Sequence, residues 1–439
     1  MTTKQDPQKT RSVGLWISTA FVSGNMIGSG VFLLPSALAA FGGISIMGWL
    51  FSTCGGLLLA FVFSALSKRK PMIGGPYIYT RDQFGNFPGF MVAWGYWISI
   101  WVGNAAISIA AAGYIGSFFP VMETHPFLSV LTAIACIWVF TWINTFSIRT
   151  VGKVQLITTL LKISPLLILG TLGLLYFNAG HFRPFNLSSS SDLSAVQATA
   201  ALTLWAFLGL ESATIPADKV HSPQKTIPRA TILGTCIAAF LYISSTVAVL
   251  GILNPAALTT SEAPYSEAIT IIWGTWAGRT TAIFAIIACL GALNGWILLQ
   301  GQIPLAASKD RLLPGFFGIL SKRGMPVPGL VISSVLATIL ILMNYTKGLV
   351  GLFTFIIMLA TLSTLFPYIF SSLAQLLYLW RERKKRSLRN MASPLLIATG
   401  ATLFSVWAIG GLGLKVFVWG MILLVVGLPF YFFSRRSRN

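Results

Sequence analysis

Long apolar runs separated by short polar or basic segments dominate the pattern of this chain. They recur twelve times, over 13–41, 44–66, 87–118, 128–147, 154–177, 194–217, 230–253, 277–300, 328–343, 349–379, 393–411 and 416–433. A helix crosses the hydrocarbon core with about 20 mainly apolar residues, so each run reads as one transmembrane helix. The predicted fold is all-α and integral to the membrane, a single polytopic unit over 1–439. Gly and Pro inside several runs are compatible with this, because neighbouring helices can satisfy the freed backbone groups. Thr2–Arg11 is polar, and the apolar run after it continues past a signal-peptide core with no plausible cleavage site. No cleaved leader is therefore expected. Ser188–Ser191 reads as a polar turn before the sixth span, and no soluble domain is expected anywhere.

Composition agrees with that pattern. Of 439 residues, 55% are hydrophobic and 9% charged, and the mean hydropathy is +0.79; soluble chains carry about 25% charged residues. The 30 Lys and Arg against 10 Asp and Glu would suggest nucleic acid in a soluble protein. Here 25 of those bases fall in the N-terminal tail, alternate loops and the C-terminal tail: Lys4 to Arg11, Lys68 to Arg81, Arg149 and Lys153, Lys219 to Arg229, Lys309 to Arg323, Arg381 to Arg389, and Arg435 to Arg438. The opposite loops hold only Arg183, Arg279, Lys347 and Lys415. Such a split orients both termini toward the cytoplasm of a cell inner (plasma) membrane protein. The charge excess thus reads as topology, with the lipid bilayer as partner and nucleic acid set aside.

Candidate chemistry is sparse. Cys54, Cys136, Cys236 and Cys289 lie inside spans without a CxxC pair, and His125, His181 and His221 lie in three separate loops. No metal set or cofactor is expected from them. Nine of the ten acids sit in loops or at span ends; only Glu211 is deep in an apolar run. It reads either as a neutral carboxyl satisfied by a neighbouring helix or as a proton carrier lining an aqueous path. Span one carries Gly24-Asn-Met-Ile-Gly28-Ser-Gly30 at its middle. Each Gly disfavours helix by about 1 kcal/mol against Ala. The stretch reads as close packing of Gly24 and Gly28, or as an unwound segment whose N–H groups at Ser29 and Gly30 receive an anion.

Spans one and six stand five spans apart, so the two irregular helices occupy corresponding places in successive five-helix units. Because five is odd, the second unit is inverted. This is the pattern of an inverted-repeat transporter with its site at the midplane, with repeats over 13–177 and 194–379 and two accessory spans over 393–433. Tyr96, Trp97, Trp101, Trp205, Trp296 and Tyr368 add aromatics within the spans. Trp205, six residues before Glu211, offers an indole face that closes over a substrate or holds a cation.

Ser23-Gly-Asn-Met-Ile-Gly-Ser-Gly-Val-Phe-Leu-Leu-Pro35, Gly74-Gly-Pro-Tyr-Ile-Tyr79, Leu204-Trp-Ala-Phe-Leu-Gly-Leu-Glu-Ser212, Pro223-Gln-Lys-Thr-Ile-Pro-Arg-Ala230 and Cys289-Leu-Gly-Ala-Leu-Asn-Gly-Trp296 resemble the amino acid–polyamine–organocation superfamily. With Tyr96-Trp and Trp101-Val-Gly-Asn104, the chain looks most like its basic amino acid/polyamine antiporters of the arginine/agmatine exchanger type. The resemblance implies a leucine-transporter-like fold with discontinuous helices one and six, and a homodimer. It implies that Ser29 and Gly30 take the substrate carboxylate, and that carbonyls of Met26, Trp205 and Leu208 take the α-amino group. Trp205 would be a stacking gate and Trp296 would cover the far end of the substrate. Asn104, with the backbone around Ser99 and Ile100, would hold a guanidinium. Glu211 would link proton and substrate movement, and Tyr96 and Tyr368 would be gating tyrosines.

Two departures bear on the substrate. Ala360 and Ile107 replace a serine and a methionine expected near the head group. Lys162, inside span five, stands where the arginine exchangers carry a small apolar residue; in other branches this position resembles a lysine standing in for a sodium ion. An intramembrane Lys is expensive and usually functional, unless it snorkels to the interface. The expected activity is exchange of a basic, arginine-like amino acid for its agmatine-like amine by alternating access with proton-sensitive gating. The alternative is a proton-coupled transporter or exchanger of neutral amino acids, which Lys162 favours. No nucleophile–base pair suggests an enzyme, and no continuous polar-lined pore or sensing domain suggests a channel or receptor.

Overall fold

The computed structural model describes residues 14–70, 74–146, 148–214, 220–344, 348–383 and 388–436. Of the charges used above, Lys4, Asp6, Lys9, Arg11, Asp218, Lys219, Lys347, Lys384, Lys385, Arg386 and Arg438 lie outside those residues. The first expected span is two helices, α1 (Leu15–Met26) and α2 (Ser29–Ala39). They are followed by α3 (Ser45–Arg69), the short α4 (Pro76–Phe84) and α5 (Asn86–Gly116). Next come α6 (Pro126–Ile143), α7 (Ile148–Thr171), α8 (Asp192–Leu204) and α9 (Pro223–Ile252). The rest of the chain forms α10 (Pro264–Trp273), α11 (Thr275–Lys309), α12 (Val327–Asn344), α13 (Leu349–Glu382), α14 (Leu388–Ile409), α15 (Leu414–Val425) and α16 (Gly427–Arg436).

Among the described residues ten helical stretches, with α1–α2 taken as one, are long and apolar enough to cross a membrane. The other two expected spans are shorter: α12, and α8, which stops where the chain unwinds. Two expectations need correction. The segment between spans two and three is not a loop throughout, because Pro76 opens α4 at its first turn, where a missing N–H is harmless. Nor do Lys225 and Arg229 lie in a loop, because α9 begins at Pro223; Arg149 and Lys153 likewise fall in α7, Arg279 in α11 and Arg389 in α14. Hydropathy reports the thickness of the hydrocarbon, whereas a helix continues past it as long as its backbone stays paired.

Burial separates the helices into a centre and a periphery. α5 and the α1–α2 pair are mostly buried, whereas fewer than a third of the residues in the apolar stretches of α6, α14 and α15 are. α5 runs along both α11 and α13, and α3 packs against α8 and α9, with α1 against α9. Lipid is as apolar as Leu, so close approach of backbones takes the place of a hydrophobic drive between helices. At Gly103 of α5 a Cβ would meet the Trp205 ring at 2.8 Å, and at Gly28 one would meet the Ala292 Cβ at 2.6 Å.

Both irregular helices are interrupted within the protein. α1 ends at Met26, Ile27 is extended, and α2 starts at Ser29. The sixth span passes from α8 through a single tight turn, Trp205–Phe207, to an extended Leu208. Gly209 then takes φ +103°, a left-handed conformation open to Gly at little cost.

Candidate transport site at two helix breaks

The four last carbonyls of α1 have no partners in their own helix, and the surrounding residues account for most of them. The Ile27 N–H donates to the Ser23 carbonyl (2.8 Å), the Lys162 ammonium to Gly24, and the Trp296 indole N–H to Asn25 (3.0 Å). Met26 is then the member of that turn whose carbonyl none of these donors takes. Across the gap, the N–H groups of Ser29 and Gly30 open α2 with no acceptor one turn earlier, and the Ser29 hydroxyl has no hydrogen-bond partner among the described residues. A helix N-terminus of this kind favours an anion through its free N–H groups and its dipole.

Between the two breaks lies a small cavity lined by Asn25, Met26, Gly28, Ser29 and Gly30, by Trp205 and Leu208, and by Ile107, Ala292 and Trp296. The Trp205 indole reaches from Gly30 to Gly103, and Trp296 lies with its ring edge against Gly209. Of the residues singled out in the sequence, Met26, Gly28, Ser29, Gly30, Ile107, Trp205, Leu208 and Trp296 meet at this cavity.

The others do not line it. Ser99 returns its hydroxyl to the Tyr96 carbonyl of its own helix (2.7 Å), and Ile100 is buried. Asn104 is buried one turn before Ile107 and donates to Gln300 Oε1 (2.7 Å). Tyr96 and Tyr368 belong to a second cluster: Tyr96 Oη donates to Glu211 Oε1, and Tyr368 Oη to Glu211 Oε2 (2.7 Å). Glu211 is fully buried on the unwound part of the sixth span, with both carboxylate oxygens held. Lys162 is also fully buried, so it does not snorkel; its ammonium reaches across to the Gly24 carbonyl at the break in the first span.

Sequence reasoning missed Asn25, Ala292 and Gln300. Asn25 and Ala292 lay within motifs already quoted, and a polar residue or a small one beside a helix break was the available signal. Gln300 carried none, because an uncharged amide in a span attracts no attention when charges are searched for. No group of three or more metal-ligating side chains occurs among the described residues.

A small cavity enclosed by two interrupted membrane helices, with an open helix N-terminus on its wall, defines a secondary transporter. The amino acid permease family matches residues 13–431, and the chain belongs to that family, in its basic amino acid/polyamine antiporter branch. The cadaverine/lysine antiporter of Escherichia coli K12 is 35% identical over 82% of each chain. The arginine/ornithine antiporter of Pseudomonas aeruginosa is 30% identical over 96% of this chain and 90% of its own. The solved structure of MhsT in complex with L-phenylalanine superposes with a TM-score of 0.63 at 16% identity, covering 93% of this chain and 99% of that one. At that identity the likeness shows the fold, the leucine-transporter-like arrangement with two discontinuous helices.

Proposed function

We propose that this transporter exchanges a basic amino acid, arginine-like, for its agmatine-like amine by alternating access across the plasma membrane, with both termini cytoplasmic. The observation that carries the reading is the cavity between the two breaks, with the α2 N-terminus on one wall and the Trp205 and Trp296 indoles on others. The names of the relatives, cadaverine/lysine and arginine/ornithine antiporters, support a basic substrate. In this reading Ser29 and Gly30 take the carboxylate, carbonyls of Met26, Trp205 and Leu208 take the α-amino group, and Trp205 and Trp296 cover the chain. Asn104, with Ser99 and Ile100 around it, belongs to the head-group end, and Glu211 with Tyr96 and Tyr368 to the gate that couples protons. The segments 13–177 and 194–379 act as inverted halves, 393–433 is accessory, and the assembly is a homodimer.

A second reading, a proton-coupled carrier of neutral amino acids, is supported by one observation, the buried Lys162 ammonium at the break. A charged lysine there would oppose a cationic substrate nearby. Reconstitution in liposomes loaded with a panel of amino acids and amines separates the two. Uptake of labelled arginine should be stimulated by internal arginine, lysine or their amines and not by leucine or methionine. Stimulation by leucine or methionine alone overturns the basic-substrate reading in favour of the neutral one.

A further inference from the structure

Asn104 and Gln300 form a fully buried amide pair close to the cavity without lining it. Each stands one helical turn from a residue that does, Asn104 from Ile107 on α5 and Gln300 from Trp296 on α11, and residues three or four apart share a helix face. Asn104 also follows Gly103, against which the Trp205 ring is packed. The pair therefore lies one turn from the cavity wall on both helices.

The direction of the two amides follows from the groups around Gln300. Its nitrogen donates to the Leu330 carbonyl (3.0 Å) and to the Ser334 hydroxyl (2.9 Å). A backbone carbonyl only accepts, so the nitrogen must face α12. Ser334 in turn donates to the same Leu330 carbonyl (2.9 Å), which leaves a lone pair for Gln300. With its nitrogen held there, Gln300 presents Oε1 to Asn104, and Asn104 must answer with its NH2 group (2.7 Å). The Asn104 oxygen is then left over: Oδ1 is buried with no hydrogen-bond partner among the described residues. A buried acceptor without a donor is unfavourable, and the deficit is largest where no water competes. Without Gln300 the Asn104 amide could turn either its oxygen or its nitrogen outward, and would serve charged and neutral side chains alike.

We infer that Gln300 is a positioning residue that fixes the Asn104 carbonyl oxygen as an acceptor for an ammonium or guanidinium group, and thereby sets the preference for cationic over neutral substrates. This inference rests on the basic-substrate reading above. It assigns the choice of charge to a residue that does not touch the substrate, with Ser334 and the Leu330 carbonyl as its anchors.

Arginine and citrulline test it, because they are close in shape and citrulline has a neutral ureido group in place of the guanidinium. The half-saturation ratio of the two is measured by counterflow in liposomes for the wild type, Gln300→Met and Ser334→Ala. Gln300→Met should lower the preference for arginine about 10- to 100-fold, the range of one hydrogen bond to a charged group, with citrulline uptake retained. Ser334→Ala removes one of the two anchors and should shift the ratio in the same direction by less; it keeps the test open if Gln300→Met does not fold. An arginine preference that is present in the wild type and unchanged in either folded variant overturns the role of Gln300 and leaves the basic-substrate reading standing. A wild type that does not prefer arginine overturns both.

Discussion

Glu211 has both carboxylate oxygens occupied by phenols from different helices, Tyr96 on α5 and Tyr368 on α13. One acid thus ties the unwound part of the sixth span to two neighbours, and any change in its charge alters both ties at once. Glu211→Gln preserves the volume, keeps one acceptor, sets an NH2 group against the other phenol and removes the exchangeable proton. The expected result is loss of the pH dependence of exchange, with the rate lowered about 10-fold or more as one charged hydrogen bond is lost. Substrate binding, read by calorimetry, should stay measurable. An unaltered pH profile would remove Glu211 from proton coupling. Glu211 and Lys162 stood out in the sequence because each is an ionisable group far inside an apolar run. The tyrosines that hold Glu211 were legible too, but the partner of Lys162 was not. The Gly24 carbonyl that receives Lys162 is a backbone group exposed by a break, and no side-chain pattern encodes it. Gln300 was invisible for the opposite reason: its importance lies in the direction of an amide, which depends on three neighbours drawn from α5 and α12.

At the level of elements, the breaks were legible and their fit was not. Three glycines within seven residues disfavour a continuous helix, and the chain does unwind between Met26 and Ser29. What holds the break in register comes from elsewhere in the sequence: Gly28 lies where a Cβ would sit 2.6 Å from the Ala292 Cβ of α11. Contacts that short force a shift of backbone, because neither methyl has a flexible end. Gly28→Ala should therefore push α2 away from α11, disturb the cavity wall and reduce exchange about 10-fold, the overpacking penalty being roughly 1–3 kcal/mol. The reciprocal change supplies the check. Gly28→Ala combined with Ala292→Gly restores the missing space and should recover much of the activity, a coupling measurable as a double-mutant cycle. Equal losses in the single and double variants would mean that Gly28 serves backbone conformation and not this contact. The short α4 escaped sequence reading for a different reason. It is too polar and too brief to register as a span, and its first turn is defined by Pro76 following two glycines with positive φ.

Across the whole molecule, two groups of contacts outside the cavity differ in kind. In one, neutral hydrogen bonds hold α2: the Tyr114 hydroxyl donates to the Phe32 carbonyl (2.7 Å) and the Ser36 hydroxyl to the Ser261 carbonyl (2.7 Å). In the other, proposed as cytoplasmic, α4 is bound into a rim of ion pairs. Lys70 pairs with Asp82, Arg69 with Glu382, and Arg81 with Asp310 (2.6 Å), joining the ends of α3, α11 and α13 through α4. Tyr77 donates to Asp310 (2.6 Å) and Tyr378 to Asp82. Burial, reinforced by Asp310, holds the Tyr77 phenol well above its ordinary range, so it remains a donor. Partial burial raises the Asp82 carboxyl, but hydrogen bonds from Lys70, Tyr378 and Gln83 outweigh it and leave the group below its usual value. A depressed carboxyl contributes stability above its unfolded value, about 3.9, and loses it only as pH falls through the lower folded value. The Asp82 contacts should consequently hold unchanged from about pH 8 down to pH 5, so pH-sensitive exchange in that window must originate elsewhere. The rim responds instead to salt. Each pair is partly exposed and worth up to about 1 kcal/mol. Asp310→Asn leaves Tyr77 an acceptor but deprives Arg81 of its carboxylate, and hydrogen exchange of the 76–84 amides should quicken up to about fivefold at low ionic strength, as that energy implies. In about 1 M KCl, where the Debye length is about 3 Å, wild type and variant should converge. A difference that survives high salt would show that packing, not charge, holds this rim. Protection of the wild-type amides that collapsed between about pH 7 and 5, after correction for intrinsic rates, would contradict the direction of the Asp82 shift and make the rim itself a pH-sensing element.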